Sequence, residues 1–170
     1  VLWPRAILHG AANPIWIRTA GEADVARLAG YFEGLSCAAR YNRLMGAVGN
    51  LSKIARDCLT RARRGDSFTL VAEWHAHGRT AVIAEASYGF DAREQRGEFA
   101  ISVSDHFQCH RLGSTMLRAL QSRAISLGCL DLFGETLNDN EKMKRLARKA
   151  GFGFGRTSDW RAMRFDKRLA

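Results

Sequence analysis

The apolar positions change period several times along the chain, and each change marks an element. Ile15 to Thr19 is a short β-branched run directly after Pro14 and predicts a first strand. From Gly21 to Gly34, Val25, Leu28, Ala29 and Phe32 recur at helical spacing. Glu22 and Asp24 stand in the first turn, where acidic side chains favour a helix start. Ser36 to Val48 reads as a second short helix. A third is expected from Ser52, as its cap, through Arg64, with Ile54, Ala55, Cys58, Leu59 and Ala62 on one face. The period then shortens to two. Ser67 to Trp74 and Thr80 to Tyr88 are rich in strand formers, and the intervening His75-Ala76-His77-Gly78-Arg79 predicts a hairpin turn. Glu98 to Ser104 alternates: Phe99, Ile101 and Val103 face one way, and Glu98, Ala100, Ser102 and Ser104 the other.

A polar loop follows, then a helix from Leu112 to Leu127 that turns Met116, Leu117, Leu120 and Ala124 inward and ends at Gly128. Leu130 to Leu137 predicts another strand. Asn138 or Asp139 caps a helix that runs to Ala150 and closes at Gly151. Phe152 to Phe165 reads as two more strands around a turn at Thr157 to Asp159. Strands, hairpins and helical crossovers in this order make an α/β fold with a mixed sheet.

The length of 170 residues suits one domain, with a core large enough to need neither disulfide nor metal. The boundaries expected are an N-terminal arm over 1–14, a domain over 15–166 and a tail over 167–170. The formal charge of +9 favours anionic partners. The basic residues are dispersed, however, and the densest cluster is only Arg61, Arg63 and Arg64. A solvated basic face is therefore expected, and a nucleic-acid site is not. Cys37, Cys58, Cys109 and Cys129 form no CxxC pair, so free thiols are expected and a zinc site is not. His75 and His77 lack a third ligand, and Cys109, His110 and His106 lack metal-site spacing, so no metal is expected. No stretch is apolar enough to span a membrane. Val1 to Pro14 is broken by Pro4, Arg5 and His9 and has no signal-peptide pattern. A cytoplasmic location is the expectation.

The chemistry concentrates in Glu98 to Thr115, EFAISVSDHFQCHRLGST. A strand runs through a polar loop into a helix start, where unpaired N–H groups and the helix dipole suit a pyrophosphate. Gly113 permits close backbone approach, Ser114 and Thr115 add hydroxyls, and His110 and Arg111 can add charge.

Gln108-Cys109-His110-Arg111-Leu112-Gly113 resembles the acetyl-CoA loop of the GCN5-related acetyltransferases (GNAT), a six-residue motif opened by Gln or Arg and containing two glycines. Gly113 matches the second glycine, and Arg111 stands where the first is usual. Further on, Gly134-Glu135, Asn140, Met143 and Gly151-Phe152 are similar in order and spacing to the family's later strand and helix. Leu35 to Arg43 and Gly97-Glu98-Phe99-Ala100 look like the bacterial protein-lysine acetyltransferase branch. The resemblance covers about residues 15 to 155.

The resemblance implies a sheet of about six to seven strands flanked by helices on both faces, and acetyl-CoA as co-substrate. Pantetheine would lie in a splay beside Glu98 to Ser104, with main-chain groups near Val103 binding it. Amides from Cys109, His110, Arg111, Leu112, Gly113 and Ser114 would hold the pyrophosphate, with Thr115 beside them and Asn140 contacting the cofactor. Glu98 would be the base that takes a proton from the attacking amine, with Glu85 as second choice. The family's tyrosine general acid would fall at Ala147. The acceptor implied is a protein lysine or a small-molecule amine. Arg111 and Ala147 leave open a third reading, an acyl-CoA-binding sensor without turnover.

Overall fold

The computed structural model describes residues 6–8, 14–61, 66–91 and 96–169. In chain order the elements are β1 (Ala6–Leu8), β2 (Ile15–Thr19), α1 (Val25–Gly34), α2 (Cys37–Leu44), α3 (Leu51–Arg61), β3 (Ser67–Ala76), β4 (Arg79–Asp91), β5 (Arg96–Val103), α4 (Leu112–Ser126), β6 (Asp131–Leu137), α5 (Glu141–Lys149), β7 (Gly153–Arg156) and β8 (Ala162–Arg168). The strands form one sheet in the order β1-β2-β3-β4-β5-β6-β8-β7. Every neighbouring pair is antiparallel except β5 and β6, which the α4 crossover brings round in the same direction. Ala6–Leu8, inside the stretch expected as an arm, adds an eighth strand by pairing with β2. At the other end β8 runs on to Arg168. The end of the helix expected to reach Arg64 lies outside the described residues, as do Arg63 and Arg64 of the basic cluster.

Local chemistry sets most of the boundaries. His77 and Gly78 both have positive φ between the paired Ala76 and Arg79, so the β3–β4 hairpin closes on a two-residue turn that suits the strand twist. Two helix caps differ from expectation. Asn50, not Ser52, opens α3, because its Oδ1 accepts from the Lys53 N–H at 2.8 Å. Asn140, not Asn138 or Asp139, caps α5, accepting from the Met143 N–H at 3.2 Å. Asn138 is instead drawn towards β8, donating from Nδ2 to the Trp160 carbonyl at 2.6 Å.

The sheet buries both faces. Phe68, Leu70, Ala84, Ala86, Tyr88 and Phe99 pack on Leu112, Met116, Leu117 and Leu120 of α4 and on Ala147 beyond it. Val71 points the opposite way, into Leu28, Phe32, Ala55 and Leu59 of α1 and α3. Alternation along β4 and β5 therefore sends Ala84, Ala86, Phe99 and Ile101 to the α4 side. It leaves Glu85, Ser87, Glu98, Ala100 and Ser102 on the α1–α3 side. Gly134 is required where β6 meets this core. A Cβ there would lie 2.8 Å from the Phe165 ring and 3.1 Å from the Phe99 carbonyl, too close for any larger residue.

Candidate active site

β5 and β6 pair at only two positions, Gly97 with Leu132 and Glu98 with Phe133. Beyond them β5 continues to Val103 and β6 to Leu137 without pairing, so the two parallel strands fork. The Ser104 N–H donates to Ile83 of β4 at 2.9 Å. Successive residues of a strand alternate in direction, so the N–H and C=O of Val103 face the open side of the fork, where the C=O accepts from Gln108 Nε2 at 3.0 Å. A ligand with its own amides could enter there and pair with strand backbone on one side.

The loop beyond β5 carries two left-handed residues, Cys109 at φ 66° and Arg111 at φ 62°. Arg111 therefore has the backbone conformation that a glycine adopts without penalty, at the motif position where glycine is usual. It forms the last residue before α4, and its carbonyl accepts the first helical bond from the Thr115 N–H at 3.0 Å. The N–H groups of Leu112, Gly113 and Ser114 precede that bond and have no intrahelical acceptor. Gly113 itself is not needed for a special φ. A Cβ there would make ordinary contacts, 3.5 Å to Leu146 Cδ2 and 3.8 Å to Val103 Cγ2. His110 turns its Nδ1 to the Gln108 carbonyl at 2.7 Å, and the Thr115 hydroxyl donates to the Arg111 carbonyl at 3.2 Å. Both side chains thus make contacts within the loop, and the donors without helical acceptors here are backbone N–H groups.

On the other face of the fork lies a cleft of about 340 Å³, lined by Arg43, Leu44, Met45, Val48 and Ile54 from the helical side and by Glu98, Phe99, Ala100 and Glu135 from the strands. Glu98 is exposed there, at the last register pair before the strands part. The other candidate base has a different place. Glu85 is fully buried, ion-paired with Arg43 Nε, and it accepts from Ser87 Oγ at 2.9 Å and Ser102 Oγ at 3.0 Å. Since Ser102 gives its only proton to Glu85, Tyr31 donates to Ser102 at 2.9 Å. Burial, reinforced by the charge of Glu85, pushes the Tyr31 phenol well above its ordinary pKa, so it stays a donor. Glu85 is an anchor between β4 and α2 and is not placed to act as a base. Asn140 is also largely committed: besides capping α5, it donates from Nδ2 to Thr136 Oγ1 at 3.0 Å. One amide proton and one lone pair remain for a ligand. Ala147 is buried in the core and offers no acid.

Glu135 and Arg43 line this cleft although sequence reading gives neither a role. The signal available was the pleat: Glu135 and Glu98 both point away from the α4 core. Arg43 carried no such signal, since its position depends on how α2 packs.

The family model described as "Acetyltransferase (GNAT) family" matches residues 28–152. The chain belongs to this acetyltransferase family. Membership makes it an acyltransferase that uses acetyl-CoA, and the fork, the Val103 backbone and the α4 amides fit that co-substrate. Solved structures agree in fold. The GNAT domain of S. lividans PAT matches with a TM-score of 0.84 at 20% identity, over 98% of this chain and 99% of that one. yncA from Salmonella typhimurium, solved with its cofactor acetyl-CoA, matches at 0.71 and 22% identity over 92% and 94%. The ribosomal-protein-alanine N-acetyltransferase from Brucella melitensis matches at 0.69 and 23% identity over 89% and 98%. No curated protein sequence matches the chain. Among the described residues no group of three metal-ligating side chains could hold a metal ion, and no helix is long and apolar enough to cross a membrane.

Proposed function

We propose that the protein transfers the acetyl group of acetyl-CoA directly to a primary amine, of the lysine side-chain type, in a ternary complex within the cytoplasm. The observation that carries this reading is the position of Glu98. It lies at the point where β5 and β6 separate, exposed to a cleft walled by Leu44, Met45, Val48 and Ile54. Apolar walls suit a methylene stem, and the carboxylates of Glu98 and Glu135 suit an ammonium at its end.

Acetyl-CoA supplies an activated thioester. The chain's own residues bind, orient and move the proton. The Val103 backbone faces the fork, where an N–H can hydrogen-bond a thioester oxygen as charge develops on it. An alkylammonium has a pKa of about 10.4 and cannot attack while protonated. Glu98 takes that proton, directly or through a water, as the amine approaches. The absence of a tyrosine at Ala147 leaves the thiolate to depart without a side-chain acid.

The test is a pH–rate profile of wild type and Glu98→Gln with one amine acceptor at saturating acetyl-CoA. Loss of a general base lowers the rate about a hundred- to ten-thousand-fold. The loss should narrow at high pH, where more of the acceptor is already neutral, and CoA affinity should be unchanged. Near-wild-type turnover at neutral pH would remove Glu98 from the mechanism. Binding of acetyl-CoA without turnover on any amine would favour a sensor instead.

A further inference from the structure

One buried side chain in the cleft has hydrogen-bonding capacity that the fold does not use. Arg43 stands in the last turn of α2, and only 9% of its side chain is exposed. A guanidinium carries five N–H donors in a fixed fork. Nε and one proton of Nη2 go to the Glu85 carboxylate, and Nη2 also donates to Ser87 Oγ at 3.2 Å. Both protons of Nη1 remain. Among the described residues no acceptor meets them, yet Nη1 is not sealed in the core. It opens on the cleft, which Arg43 lines together with Glu98 and Glu135.

The neighbouring charges decide what Nη1 can hold. Glu85, fully buried, already matches the charge of Arg43. Glu98 and Glu135 add two more carboxylates, against the single guanidinium of Arg164, which pairs across from Glu135 on β8. Carboxylates therefore outnumber guanidiniums here. An anionic oxygen on Nη1 would be repelled by them. A neutral carbonyl oxygen meets no such repulsion, and a guanidinium donor gives it a charge-assisted hydrogen bond.

We infer that Arg43 selects the acceptor: its Nη1 donates to a neutral carbonyl oxygen at the far end of the amine's methylene stem, and amines that end in a carboxylate are turned away. The inference rests on the reading of this cleft as the place of a lysine-type amine. Glu98 and Glu135 meet the ammonium, and the stem runs along Leu44 and Met45. Arg43 takes no part in the proton transfer. Its contact distinguishes one amine from another, because a donor built to meet an oxygen disfavours an analogue without one.

Three acceptors of similar length test it: ε-aminocaproamide, ε-aminocaproate and hexylamine, each at saturating acetyl-CoA. Wild type should give the amide a higher kcat/KM than the carboxylate. Arg43→Met removes the donor but strands Glu85, so Arg43→Met/Glu85→Gln is the variant to measure, with its fold checked by thermal unfolding. In that variant the preference for the amide over hexylamine should fall about tenfold, as expected for one charged hydrogen bond. Glu85→Gln alone keeps the donor and uncovers its charge, so the carboxylate should gain on the amide. A purely structural Arg43 would lower all three rates together and leave their ratios alone. An amide-to-hexylamine ratio equal in wild type and double variant overturns the inference. So does a wild type that prefers the carboxylate to the amide. If the wild type acetylates none of the three, the reading of the cleft as a lysine-type amine site falls and takes the inference with it. Turnover with unchanged ratios removes the inference alone.

Discussion

Arg111 shows how one residue can carry a motif's geometry without its usual side chain. Its φ of 62° is the left-handed conformation, which costs a non-glycine residue about 1 kcal/mol. The cost is tolerated because the loop must turn there to deliver the α4 amides, and the backbone performs that turn whatever the side chain is. Arg111→Gly should therefore keep the loop and relieve the strain, raising stability by several tenths of a kcal/mol after the larger unfolded-state entropy of glycine is counted. It also removes an exposed cation beside the helix start, so affinity for CoA should fall a few-fold and become less salt-dependent. Thermal unfolding and calorimetry at two salt concentrations would check that stability and affinity move in opposite directions.

At the scale of elements, α2 is the piece whose placement makes the cleft, and polar contacts hold it. Arg43 reaches from its last turn to Glu85 on β4 and stacks over Phe32 of α1 at 5.7 Å. At its start the Ser36 hydroxyl donates to Asp105 at 3.0 Å, on the turn that follows β5. α2 has no fully buried residue, and of its side chains Ala39 packs, partly buried, against the apolar core, so these polar contacts do much of what packing does for α1. Removing one member of a buried ion pair leaves the other charge without compensation, at a cost of about 3–5 kcal/mol. Arg43→Met should lose that much, read by urea unfolding. Arg43→Met/Glu85→Gln should recover a large part, because the neutral amide can still bond Ser87 and Ser102. The single variant should also raise KM for the amine more than for acetyl-CoA, since Arg43, Leu44 and Met45 line the cleft proposed to take the amine.

Across the whole molecule, the far end of the sheet is stapled by charge. Arg18 on β2 binds Asp24 at 2.6 Å and Glu73 of β3 at 2.7 Å, and Arg27 of α1 binds Glu73 at 2.7 Å. The hydrogen bond from Arg18 outweighs burial, with help from the Gly21 N–H, and holds the Asp24 carboxyl at about 2. Burial pushes Glu73 up, but Arg18 and Arg27 prevail and keep it below the usual carboxylate range. Both carboxyls are thus more acidic folded than unfolded. Their contribution is complete above about pH 4, the unfolded value, and is lost as pH falls towards 2. Urea midpoints measured from pH 5 down to pH 2 should fall over that window. In Asp24→Asn the fall should be shallower and the midpoint at pH 6 lower.

The sequence by itself determined most of the elements and their order, because these depend on neighbours along the chain; β1, in the stretch read as an arm, escaped it. Periodicity is local, so the β-branched run at Ile15, the pleat of β5 and the inward stripe of α4 were all legible before packing. The same pleat predicted that Glu98 and Phe99 would part company, and Glu98 is exposed while Phe99 is buried. Tertiary structure decided what depends on distant partners. Glu85 and Glu98 look equivalent as strand carboxylates, yet a guanidinium from α2, forty-two positions earlier in the chain, makes one a buried anchor. Asn140, rather than Asn138 or Asp139, became the cap because the turn before β8 claims Asn138 through Trp160. The fork itself is invisible to periodicity. β5 and β6 each read as ordinary strands, and only their mutual direction after the second register pair opens the cleft between them.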